Sequence, residues 1–278
     1  MRPALPALLL GAVFIALSPI FVRLSEAGPT ATAFWRVALA VPVLWIFFRT
    51  PLKGPKLLFL AAGIAFAGDL AFWHTSIQFT SVANSTLLAN LASIFVTLAA
   101  WLFWRERPRP LFLVSLALAL GGVALLVQTS LDFSRTALLG DALGVVTAMF
   151  YAWYILAVKG LRDRGAATLQ VMAVTSTLTA VILLPVALAS GEQMLPCSAY
   201  GWWVLIGLAL VSHAAGQGLI AYALAHLPAP FSSVGLLLQP VVAAFFAWML
   251  LSEPLVALQI AGGVVVLAAI WLARRGSA

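Results

Sequence analysis

Polar side chains recur at helical spacing inside stretches that are otherwise apolar. Thr86, Asn90, Ser93 and Thr97 follow i, i+4, i+7, i+11, which is one face of a helix. Thr147, Tyr151 and Tyr154 repeat the first part of that pattern, and His213 with Gln217 and His74 with Gln78 each stand one turn apart. Gln239 precedes Pro240 within the run Leu236 to Leu251. One cation, Arg36, and one acid, Asp69, also lie deep in apolar sequence. Hydroxyls, amides, imidazoles and phenols in such places hydrogen-bond either to a ligand or to a neighbouring helix.

Covalent chemistry finds little to work with. A membrane transferase needs paired acids around magnesium, and an intramembrane protease needs a nucleophile beside its base or His and Glu around zinc. Asp69 is the one acid near the middle of an apolar run, and the three histidines have no metal-ligand spacing. No Gly-rich phosphate loop with its Lys occurs, so ATP-driven pumping has no motif. The single cysteine, Cys197, excludes an internal disulfide. No metal, nucleotide or other cofactor is expected. An enzyme acting on a lipid-soluble substrate is the alternative that these absences disfavour, and binding is the chemistry that remains.

The elements that hold these residues follow from composition. Of 278 residues, 64% are hydrophobic and 8% charged, and the mean hydropathy is +1.10. A soluble domain carries roughly a quarter charged residues. The solvent of this chain is therefore a bilayer, where only helices or closed barrels satisfy their backbones. Barrel strands alternate apolar and polar residues; here the apolar runs are continuous, so the expectation is an all-α membrane protein. Ten runs are marked, at about 4–24, 31–48, 57–79, 82–103, 110–128, 138–158, 167–190, 200–226, 230–251 and 255–273. Only Thr80-Ser81 divides the third from the fourth, which suits a tight hairpin. The first run is long enough to span and lacks a clear cleavage pattern, so it reads as a helix rather than a signal peptide. The loops leave no room for a soluble catalytic domain.

The net charge of +7 is unevenly placed. With the N-terminus in the cytoplasm, the cytoplasmic segments hold Arg2; Arg49, Lys53 and Lys56; Arg105, Arg107 and Arg109; Lys159, Arg162 and Arg164; and Arg274 and Arg275. That is 12 of the 15 basic residues, and the outer edges hold only Arg23 and Arg135. The positive-inside rule then predicts cytoplasmic termini in a cell inner membrane, and the charge is a topology signal rather than a nucleic-acid footprint.

The chain also repeats itself. Trp101, Glu106 and Ser85 recur 147 residues later as Trp248, Glu253 and Ser232, and a weaker match places the first run on the sixth. Two units are expected, 1–135 and 136–278, each of five helices. Five is odd, so the units must cross in opposite directions, as in secondary transporters with a midplane site.

Tyr222-Ala-Leu-Ala-His-Leu-Pro-Ala-Pro-Phe-Ser-Ser, Gln239-Pro240, Trp248-Met-Leu-Leu-Ser-Glu253-Pro254 and Gly262-Gly263 together resemble the second repeat of the EamA-type drug/metabolite transporters. Ala33-Phe34-Trp35-Arg36 and the sequence from Gly11 before it are similar to that family's opening helices. Within the family, the resemblance is greatest to exporters of aromatic amino acids of the YddG type. It implies a basket-like bundle around a central cavity lined by helices 1, 3, 4, 6, 8 and 9, and export from the cytoplasm. Many members carry Glu-Pro where this chain has Gln239-Pro240.

On that implied cavity, Asn90, His213, Gln217 and Gln239 lie deepest and would receive the polar ends of an aromatic or neutral amino acid. Its ring would lie on Tyr151, Tyr154 and Trp101. Thr86, Ser93, His74 and Gln78 are further lining candidates, with helix–helix hydrogen bonding as the rival role for each. Arg36 and Asp69 are equidistant from the hairpin between the second and third helices, so antiparallel packing brings them to one depth as a structural ion pair. The expected partners are a small-molecule substrate and the lipid bilayer, with no nucleic acid, and a monomer is the simplest assembly.

Overall fold

The computed structural model describes residues 3–48, 53–80, 82–105, 107–127, 135–252 and 256–276. Those residues form helices and turns with no strand among them. Among the described residues, nine helices are long and apolar enough to cross a membrane: α1 (Ala4–Leu24), α2 (Pro29–Phe47), α3 (Lys56–Phe79), α4 (Ser85–Phe103), α6 (Thr136–Asp163), α7 (Thr168–Ala189), α8 (Ala199–Ala223), α9 (Ala229–Leu250) and α10 (Ala257–Gly276). A shorter apolar helix, α5 (Pro110–Leu126), makes ten. The chain is a multi-span, all-helical membrane protein, and the ten runs expected from hydropathy are the ten helices.

Several helices are interrupted at mid-length, and the interruptions follow from backbone chemistry. Pro240 has no N–H to give the Leu236 carbonyl four residues back. Gln239 N–H donates to that carbonyl instead, at 2.9 Å, and α9 breaks at Leu236-Leu237. In α1 the break at Ala16-Leu17 precedes Pro19, and the Phe14 carbonyl beside it accepts from Ser212 Oγ of α8 at 2.9 Å. α4 breaks at Asn90-Leu91 without a proline. There the Asn90 side-chain amide donates to Thr86 O at 2.8 Å, competing with the ladder as short polar side chains do. The segment Leu208–Gln217 of α8 winds as a π-helix.

α1 packs on α8 and α9, while α6 packs on α3 and α4. α5 packs on α10, with the backbone of Gly122 against that of Gly262: a Cβ on Gly262 would lie 2.6 Å from Gly122 O. Small residues at such crossings let helices approach closely where lipid supplies no hydrophobic drive. The repeated Trp-x4-Glu motif falls where a helix stops. Arg105 and Ser252, one residue before each Glu, both adopt left-handed backbone at φ 57 and φ 55, and each N–H caps its own helix through Ala100 O and Ala247 O. Glu106 and Glu253 themselves lie outside the described residues, as do Arg2 and Arg49.

Candidate functional site

A cavity of about 90 Å³ sits where the interruptions meet. Ala16, Ser18 and Pro19 come from the break in α1, Asn90 from the break in α4, and Gln239 from the turn after the break in α9. Arg36 of α2, Asp69 and Trp73 of α3, Thr86 of α4, Tyr151 of α6 and Gln217 of α8 complete the polar and aromatic wall. Broken helices are tolerated at this depth only where they face protein or a polar cavity, so the breaks and the cavity explain each other.

Its polar atoms are incompletely used. Among the described residues, Ser18 Oγ, Arg36 Nε, Gln217 Oε1 and Gln239 Nε2 are buried without a hydrogen-bond partner. Ser18, Arg36 and Gln217 expose 3%, 4% and 3% of their surface. The side chains of Gln217 and Gln239 both approach the Tyr151 hydroxyl. An unsatisfied buried polar atom typically costs about 1–3 kcal/mol, so a concentration of them in one place needs a reason, and a ligand is one.

Of the residues singled out in the sequence, Asn90, Tyr151, Gln217, Gln239 and Thr86 share this wall. Others stand elsewhere. His213 is buried, its Nε2 2.7 Å from Ser176 Oγ of α7 and its ring stacked on Phe66. Tyr154 is stacked on the same Phe66 at 4.6 Å, beneath Tyr151 at 6.3 Å. His74 is fully buried beside Trp73, with Nδ1 2.7 Å from Leu70 O. A carbonyl can only accept, so Nδ1 carries the proton, and Nε2 is a buried acceptor without a partner among the described residues. Ser93 Oγ donates to Ser233 O of α9 at 3.1 Å, a helix-to-helix bond. Trp101 is half exposed on an outer groove between α4 and α5, away from the cavity. Gln78 lies outside the cavity too, at one end of the bundle, donating to Glu192 at 2.8 Å.

Arg36 and Asp69 reach one depth, as antiparallel packing requires, and line the same cavity. The direct ion pair does not form: no salt bridge or hydrogen bond joins them among the described residues. Spacing along a hairpin fixes depth but not the direction in which the side chains point. Ser18 was not legible as a lining residue, although Pro19, which breaks α1 beside it, was the available signal.

The two ends of the bundle differ. At one, Glu192 accepts from Thr30 N–H at the start of α2 at 2.7 Å and from Thr30 Oγ1 at 3.1 Å. Glu26 in turn accepts from the Ser198 hydroxyl at 2.5 Å and from the N–H groups of Cys197 and Ser198 at 2.9 Å, at the start of α8. The Ser198 hydroxyl, aided by those N–H groups and opposed by partial desolvation, holds the Glu26 carboxyl below the usual carboxylate range. Gly28 N–H to Gln193 O and Trp35 Nε1–H to Met194 O, at 2.9 and 2.7 Å, tie the same loop down. At the other end lies a vestibule of about 710 Å³ whose lining includes Arg107, Arg109, Lys159 and Arg164.

The EamA-like transporter family model matches residues 2–128 and again residues 138–275. The chain belongs to that family. It is 27% identical to the pseudopaline exporter CntI of Pseudomonas aeruginosa over 96% of this chain and 94% of that protein. It is 28% identical to the threonine/homoserine exporter RhtA of Escherichia coli, covering 84% and 77%. A crystal structure superposes with a TM-score of 0.83 at 14% identity, covering 100% of this chain and 98% of its own, a likeness of fold alone.

Proposed function

We propose that this EamA-family transporter exports amino acids or close relatives, neutral and aromatic ones among them, by alternating access through the polar cavity. The observation that carries the reading is the set of unpartnered donors and acceptors around one shared space. Tyr151 and Trp73 give that space aromatic surface, and the name of the threonine/homoserine exporter above points to amino acid cargo. Its volume of about 90 Å³ is below the roughly 300–1,000 Å³ of ordinary small-molecule pockets, so a ring-bearing cargo needs it to widen.

The basic vestibule is the cytoplasmic mouth, by the positive-inside rule, in a cell inner membrane. Gly276 lines it, so the C-terminal helix ends on that side. The carboxylate-tied end is then external. The two five-helix units, 1–135 and 136–278, are supported by the double family match, by the two left-handed helix stops, and by the exchange of packing partners between α1 and α6.

Counterflow in nucleotide-free proteoliposomes against a panel of labelled amino acids tests the reading. Exchange of neutral and aromatic members is expected, and exchange of none would overturn it. Gln239→Ala should lower the exchange rate about tenfold while the thermal midpoint of the purified protein stays unchanged, because water replaces a cavity-facing amide. A fall in both would make Gln239 structural.

A further inference from the structure

Arg36 and Asp69 place a guanidinium and a carboxylate on the wall of one small cavity. Each lies in the other's field. Yet among the described residues neither has a salt bridge or a hydrogen bond to the other, and Arg36 Nε has no partner at all. Opposite charges able to touch in a water-poor interior do so, because attraction is strongest and desolvation most costly there. Two that stay apart around a shared space leave each charge wanting a counter-charge.

A single molecule can meet both needs only if it carries both signs a short distance apart. A simple anion would satisfy Arg36 and repel Asp69, and a simple cation would do the reverse. We propose that Arg36 and Asp69 form a split receptor for a zwitterion, the guanidinium holding the α-carboxylate and the Asp69 carboxylate holding the α-ammonium of an amino acid. The planar guanidinium suits two-point contact with a carboxylate. The unpartnered Gln217 Oε1, Gln239 Nε2 and Ser18 Oγ supply neutral contacts on the same wall. The site remains electrically balanced when loaded. The inference rests on the reading of the chain as an amino acid exporter, and it names the groups that would make the backbone of the cargo, rather than its side chain, the common requirement.

The test is competition in proteoliposome counterflow of labelled L-phenylalanine, with unlabelled L-phenylalanine, its amide and its N-acetyl derivative as competitors. The amide keeps only the ammonium and the N-acetyl compound only the carboxylate. With the wild type, both derivatives should compete at least roughly tenfold more weakly than the parent. In Asp69→Asn the N-acetyl compound should gain on the parent, and in Arg36→Gln the amide should gain, while Asp69→Glu and Arg36→Lys keep the wild-type order. Competition ratios do not depend on how much protein survives purification, so a variant of low yield still reports. If the wild type exchanges phenylalanine and is inhibited equally by all three compounds, the receptor is overturned and the exporter reading stands. If it exchanges no amino acid of the wider panel, both fall. If the double variant Arg36→Gln/Asp69→Asn purifies well and retains the wild-type order, the two residues are not the receptor.

Discussion

At one end of the bundle, Glu26 and Glu192 each sit on the amino terminus of a helix and tie two loops together. At the other, Arg107, Arg109, Lys159 and Arg164 surround an open vestibule of about 710 Å³. The acidic end spends its charge inside the protein, on unpaired N–H groups and the positive pole of a helix. The basic end presents its charge outward, with Lys159 paired to Asp163 on its own helix. The contrast is between an end whose charges are spent on holding loops and an end whose charges line an open basin.

Breaking the caps should erase that contrast. Cys197 is the chain's single cysteine, is exposed, and gives its N–H to Glu26, so it reports on this end directly. Labelling of Cys197 in intact cells by a membrane-impermeant maleimide is expected in the wild type. It should accelerate on the order of tenfold in Glu26→Gln/Glu192→Gln, as the segment that carries Cys197 loses its anchors. Labelling only after permeabilisation would reverse the assignment of the two faces.

Acid should do the same reversibly. The folded-state pKa of Glu26 lies below its ordinary value of about 4.5. The stabilisation is therefore complete above that value and is lost as pH falls through the lower, folded one. Melting midpoints of the wild type should exceed those of Glu26→Gln at neutral pH and converge with them on acidification below the carboxylate range. Parallel curves would mean that Glu26 does not hold this end.

The smallest effect is expected on the flank between the ends. Trp101 faces the outer groove at 50% exposure, so Trp101→Leu should leave counterflow within about twofold of wild type. A larger loss would return that ring to the substrate path.

The ten helices were readable because bilayer solvation demands continuous apolar runs, and nothing in the folded protein overrides that demand. Half of the site was readable for a related reason: Gln239 and Gln217 are polar where polarity is costly. What escaped depends on helical phase. His213 and Gln217 share one π-helical segment, yet Gln217 lines the cavity while His213 goes to Ser176 of α7. The stripe from Thr86 to Thr97 is cut by the break at Asn90-Leu91, so its first half faces the cavity and Ser93 bonds to α9. Neither distortion has a proline to announce it.

The reciprocal caps carry a consequence for biogenesis. The group that closes the start of α2 stands 162 residues further along the chain, and the group that closes the start of α8 stands 172 residues earlier. A ribosome finishing the first five helices has therefore released a half-molecule whose second helix waits, uncapped, for a loop not yet translated. These two helix starts are therefore capped only when both halves of the chain are in place.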